Sequence, residues 1–133
     1  MEKCTISNKN RLIVFQENKS KLTINNKDRV EAKQIEVDGC QITDGIRCDF
    51  LLLAKDLEIF IELKGQDLKH ALEQIEATIT QLSSDFRKKS KTSIIVCTRS
   101  PLTSATILHK KKIFRKKFNS ELIIKNTPCN YDI

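Results

Sequence analysis

Asp49 and the run Glu62-Leu63-Lys64 are the residues of this 133-residue chain whose types and spacing could do chemistry together. They lie in two stretches that read as strands, Ile46 to Ala54 and Leu57 to Lys64, separated only by Lys55-Asp56. If that pair is a two-residue hairpin turn, Ala54 faces Leu57 and Asp49 falls across from Glu62. Directly opposed side chains on neighbouring strands lie about 5 Å apart. Two carboxylates at that separation repel by about 3 kcal/mol at an effective dielectric of roughly 20. A cation between them removes that cost. Lys64, two residues on and on the same face, supplies one charge, and a hard divalent ion that takes oxygen ligands answers the geometry better.

The elements that must position these groups follow from turn signals and periodicity. Thr43-Asp44-Gly45 reads as the turn of a preceding hairpin whose first strand is Ile35 to Ile42. That register sets Cys40 beside Asp49 and Asp38 beside Leu51. Strand alternation then gives one charge-free face with Ile35, Val37, Phe50, Leu52, Ile59, Ile61 and Leu63, over which the next helix is expected to pack. The opposite face carries Glu36, Asp38, Asp49, Glu58, Glu62 and Lys64. From Asp67 to Ser84 the residues Leu68, Ala71, Leu72, Ile75, Ile79 and Leu82 form one helical stripe, with Asp67 placed as its N-cap. Ser93 to Thr98 reads as a buried strand, Ser104 to Phe118 as a basic helix and Glu121 to Lys125 as a last strand. The predicted class is α/β: a mixed β-sheet, with a three-stranded meander followed by strand-helix-strand crossovers, flanked by helices. Its core spans residues 34–126 of a single domain. Residues 1–30 are less readable, with Leu12 to Phe15 and Leu22 to Ile24 as a candidate hairpin.

Asp49, then Glu62-Leu63-Lys64 closing a strand, then a capped helix resembles the core of the PD-(D/E)XK nuclease superfamily, the restriction-endonuclease-like fold. The likeness covers roughly Ile35 to Thr98. The tripeptide alone is unspecific, since Glu17-Asn18-Lys19, Glu31-Ala32-Lys33 and Asp67-Leu68-Lys69 also fit it; only Glu62-Leu63-Lys64 ends an apolar strand facing an upstream Asp. The resemblance implies a Mg²⁺-dependent (or Mn²⁺-dependent) endonuclease. Asp49, Glu62 and the backbone carbonyl of Leu63 would hold the metal, Lys64 would orient water or stabilise the transition state, and Gln74 would steady the site. Relatives often carry a further acidic ligand before this core. Glu31, Glu36 and Asp38 are open to that role, with Asp38 favoured because it lies on the acidic face. Two departures stand out: Cys48 replaces the usual Pro before Asp49, and no helix precedes the first core strand.

Charge points to the substrate class. The chain has 24 basic and 17 acidic residues, a net charge of +7, yet between Arg87 and Lys117 there are eleven basic residues and no acidic one. Such a stretch suits a polyanion. Lys88, Lys89, Lys110, Lys111, Lys112, Arg115, Lys116 and Lys117 are the expected nucleic-acid contacts, with DNA favoured over RNA. Paired cuts would need a homodimer. The alternative reading keeps the fold without the chemistry, as an inhibitor or immunity factor that binds a protein partner, or as a nucleic-acid-binding module. His70 and His109 have no ligand-spaced partner, and Phe114 and Phe118 fall on the core side of their helix. The five cysteines include no C-x-x-C pair, so free thiols are expected. No apolar run approaches the ~20 residues of a membrane span, and the first residues lack a signal-peptide pattern, so the chain reads as soluble and cytoplasmic.

Overall fold

The computed structural model describes residues 2–63, 67–98 and 103–133. After one 3₁₀ turn at Glu2–Cys4, the strands are β1 (Thr5–Asn8), β2 (Leu12–Glu17), β3 (Ser20–Asn25), β4 (Ala32–Glu36), β5 (Phe50–Ala54) and β6 (Leu57–Leu63). Helix α1 (Leu68–Leu82), β7 (Lys91–Cys97), helix α2 (Ser104–Phe118), β8 (Ser120–Asn126) and β9 (Cys129–Asp132) follow. The class is mixed α/β. A six-stranded sheet runs in the order β1-β4-β5-β6-β7-β8, and a three-stranded sheet in the order β2-β3-β9. No helix among the described residues is long and apolar enough to cross a membrane.

The hairpin that organises the site forms as its sequence demands. Lys55 and Asp56 both adopt positive φ, 51° and 58°, as a two-residue turn of the primed kind requires. Ala54 pairs with Leu57, Leu51 with Phe60 and Phe50 with Ile61. β6 then pairs in parallel with β7 and β7 with β8, the crossovers being α1 and α2. Asp67 caps α1, its Oδ1 accepting from the His70 N–H at 3.0 Å, and α1 buries Leu68, Ala71, Leu72, Ile75 and Ile79 as the stripe predicts.

Two expectations are corrected. β4 lies earlier than expected and pairs Ile35 with Leu51 and Glu36 with Phe50, three residues out of the expected register. An odd slip exchanges the faces. The reason is that Asp44-Gly45 is a bend inside a long excursion from Val37 to Asp49, not a hairpin turn. That excursion is closed by its own bonds, Ile42 N–H to Val37 O at 2.9 Å and Gln41 N–H to Glu36 O at 3.1 Å, with Gly39 and Gly45 at φ 79° and 86°.

Nor does α1 pack on the charge-free face. Leu52, Ile59, Ile61 and Leu63 are buried with Ile13, Phe15, Leu22 and Ile24 of the second sheet. The helices instead cover Ile35, Leu51, Phe60 and Ile95. A sheet flanked on both sides needs only an apolar middle, which Leu51 and Phe60 provide. Glu58 is tolerated near the start of β6 because Ser83 Oγ (2.5 Å), Ser84 N–H (3.0 Å) and Ser84 Oγ (3.2 Å) at the C-terminal end of α1 donate to its carboxylate.

The cysteines are also corrected. Cys4 and Cys40 form a disulfide that ties the 3₁₀ turn to the excursion, while Cys48, Cys97 and Cys129 are free and buried. Cys40 is therefore bonded to the N-terminal turn instead of packing beside Asp49.

Candidate metal centre

Asp49 sits one residue before β5, where the regular ladder ends. The N–H groups of Val37 and Asp38 both reach the Asp49 carbonyl, at 3.0 and 3.3 Å, so two residues of one segment face one of the other. Asp49 N–H donates to Ile61 O at 3.1 Å, although Ile61 is already the partner of Phe50. Both features are bulges, which bend strands and re-aim side chains. The strict Asp49–Glu62 opposition expected from alternation ends at this point.

The Asp49 carboxylate is consequently delivered to the rim between the two sheets. Its Oδ2 accepts the Leu63 N–H at 2.8 Å, and it is 7% exposed. Carboxylate oxygens of Glu17, Asp38 and Asp49 lie within 4.8 Å of one another. With Glu36 and Phe50 they line a cleft of about 230 Å³. Burial pushes the Asp49 pKa up to about 7; the Leu63 N–H pulls the other way, and Glu17 and Asp38 add to the rise. Asp38 is held by Arg47, whose Nε lies 2.7 Å from its Oδ1 and whose Nη1 donates to Gly45 O at 2.7 Å.

Glu62 is 2% exposed on β6, on the same face as Phe60 and so beneath α1. Cys48 lies close to both carboxylates: its thiol is pushed up to about 12 chiefly by burial, with Glu62 and Asp49 adding to the effect against the Thr78 bond. Leu63 contributes its N–H to Asp49 and buries its side chain between the sheets. Gln74 reaches the segment leading to the site: its Nε2 donates to Arg47 O at 2.9 Å, and its Oε1 is buried without a hydrogen-bond partner among the described residues. Lys64 lies outside the described residues.

The structure thus brings Asp49, Asp38 and the Leu63 backbone together, adds Glu17, and sets Glu62 on the α1 side. Of the three acids open to the role of further ligand, Asp38 joins the carboxylate triplet, while Glu36 lines the same cleft and Glu31 lies in another. Glu17 closes β2 before the turn at Asn18, and only the packing of the second sheet carries it to Asp49. The all-oxygen donor set, short mutual distances and a carboxyl that resists ionisation without a counter-charge fit a hard divalent cation such as Mg²⁺ or Mn²⁺. Lys110, Lys111, Lys112, Arg115, Lys116 and Lys117 lie along α2, with Lys88 and Lys89 in the loop before β7. Phe114 and Phe118 are core residues, their rings 5.5 Å apart and edge-on. Searches of protein-family models, curated proteins and solved structures find no match to this chain.

Proposed function

We propose that the chain is a metal-dependent nuclease of restriction-endonuclease-like type, hydrolysing phosphodiester bonds of nucleic acid, with DNA the favoured substrate. The observation that carries this reading is the buried Asp49, fixed to the Leu63 N–H and facing Asp38 and Glu17, at the end of a hairpin whose second strand holds the buried Glu62 and leads to α1. Asp49, Asp38 and Glu17 would hold the ion, with Glu62 set apart on the α1 side and the Leu63 carbonyl as the further oxygen ligand that the resemblance implies. Bound there, a divalent ion supplies a polarised phosphoryl oxygen and an acidified water.

The chain's own residues do the rest. Leu63 N–H fixes one Asp49 oxygen, and Glu17 meets the same carboxyl from the second sheet. Arg47 neutralises Asp38 and keeps it in place, and Gln74 holds the Arg47 peptide. Lys64, two residues after Glu62, would stabilise charge building on the phosphate. The basic surface raises the local concentration of a polyanion and orients it.

Incubation of the protein with plasmid, single-stranded DNA and RNA, in Mg²⁺, Mn²⁺ or EDTA, tests the reading. Cutting that disappears in EDTA and in Asp49→Asn, Glu62→Ala and Lys64→Ala is expected. Binding without cutting in any metal would make the protein a nucleic-acid-binding module instead, and neither binding nor cutting would favour a protein partner.

A further inference from the structure

The densest positive charge lies away from the acid cluster. β6, β7 and β8 are parallel, and the pairings Glu58 to Lys91 to Ser120 mark one end of them, while Glu62 to Ile95 to Ile124 mark the other. Asp49 and Leu63 belong to the second end. Lys88 and Lys89 shortly precede Lys91, and Arg115, Lys116 and Lys117 close α2 just before Ser120, so these five cations gather at the first. Four residues along a strand and two strands across separate the ends by roughly 16 Å.

The two basic segments form one fixed surface. Asn119, in the left-handed region at φ 52°, donates from Nδ2 to Lys88 O at 2.9 Å, and its carbonyl accepts the Lys91 N–H at 3.2 Å. The buried Lys91 Nζ donates to Lys89 O at 2.6 Å and Phe118 O at 2.9 Å. Acids lie nearby too: Asp85, engaged by the N–H groups of Arg87 and Lys88, the exposed Glu121, the buried Glu58 beside Lys91, and Glu31 and Asp56 in the cleft that Lys89 also lines. From this surface α2 runs about 22 Å back toward the other end, with Lys111 and Lys112 exposed on the way.

What such a surface grips follows from what it lacks. Of the chain's seven aromatic rings, those of Phe15, Phe60, Phe114 and Phe118 are buried and those of Phe50, Phe86 and Tyr131 half-buried, with Arg87 already lying over Phe86, so none stands fully open for stacking an unpaired base. Single-strand binders rely on such faces. Cations presented by two segments locked together, with no ring fully open among them, suit the closely spaced phosphates of a duplex.

We propose that Lys88, Lys89, Arg115, Lys116 and Lys117 form a backbone anchor for duplex DNA, roughly 16 Å from the acid cluster, or about five base pairs at 3.4 Å each. As regards cutting, this rests on the nuclease reading; the anchoring stands by itself. A substrate must reach both places to be held and cut, whereas a small diester needs the acid cluster alone.

The test compares Lys88→Ala/Lys116→Ala/Lys117→Ala with Lys9→Ala/Lys19→Ala/Lys27→Ala, which loses the same charge from exposed sites elsewhere. Binding to a 20-base-pair duplex in EDTA is measured against salt, with single-stranded DNA and duplex RNA as competitors, and hydrolysis of bis(p-nitrophenyl) phosphate is followed in Mn²⁺. The anchor variant is expected to bind the duplex at least 10-fold more weakly, with the log–log salt slope reduced by about 2 to 3, while the control changes less than 3-fold and small-diester hydrolysis stays at the wild-type rate. Equal losses in both variants, no loss in the anchor variant, or tighter capture of single strands or duplex RNA would overturn the proposal. Anchor-dependent binding with no hydrolysis by the wild type would leave the anchor standing and remove the nuclease reading.

Discussion

Arg47 Nε lies 2.7 Å from Asp38 Oδ1, so the carboxylate triplet at the rim carries its own counter-ion. A divalent cation drawing on Asp38 must compete with that guanidinium. The pair is half-exposed, at 27% and 46% of the side chains, and contributes at most about 1 kcal/mol to stability. Arg47→Gln is therefore expected to leave the melting temperature nearly unchanged and to tighten Mn²⁺ binding about 3- to 10-fold, read by titration calorimetry. Weaker binding in Arg47→Gln would show that Arg47 organises Asp38 more than it opposes the ion.

Asp49 makes stability depend on pH. Its carboxyl ionises near 7 in the folded chain and near 4 in the unfolded one. Below about pH 4 both states are protonated. Between 4 and 7 only the folded state keeps the proton, so metal-free stability falls as pH rises through that window, and the full cost is present above 7. Asp49→Asn keeps an acceptor for the Leu63 N–H and removes the cost. The variant should be more stable than the wild type at pH 8, on the order of 1–2 kcal/mol, and no more stable at pH 4, by urea denaturation in EDTA. Metal affinity of the wild type should climb toward pH 7 and then level off.

The Cys4–Cys40 disulfide closes a loop with a sequence separation of 36. Cys4→Ser/Cys40→Ser is expected to lower stability by about 2–4 kcal/mol. Under denaturing, non-reducing conditions the wild type should show three titratable thiols, those of Cys48, Cys97 and Cys129. Five thiols would mean that the bridge does not form.

Lys91 is a structural cation. Its Nζ donates to Asp85 O, Lys89 O and Phe118 O at 2.8, 2.6 and 2.9 Å, and burial lowers its pKa against the pull of Glu58 and Asp85. Lys91→Met leaves three carbonyls without that donor and should destabilise the fold by about 2–4 kcal/mol. Chemical denaturation checks this.

The parts of the fold legible in the sequence were those decided locally. Lys55-Asp56 between two apolar runs could only be a tight turn, and that set the β5–β6 register. The Leu68-to-Leu82 stripe behind Asp67 marked α1, and the spacing of Phe114 and Phe118 marked the buried side of α2. What escaped was settled by distant partners. The β4 register depends on the excursion to Asp49, whose closing bonds have no short-range signature. β9 is a short, mostly polar strand that takes its place only by pairing in parallel with β3. The charge-free face said that it would be buried, not by what. Once the second sheet rather than α1 covers it, Glu17 arrives beside Asp49. Asp49 and Asp38 were thus readable as acids near a strand end, while Glu17 was not.

The most direct test is anomalous difference density from a crystal soaked in Mn²⁺ near neutral pH. The account predicts one dominant peak within about 2.3 Å of an Asp49 carboxylate oxygen, with Asp38 or Glu17 also in its coordination sphere. A peak elsewhere, or none at a concentration that supports cutting, would contradict the assignment of these carboxylates as the metal centre.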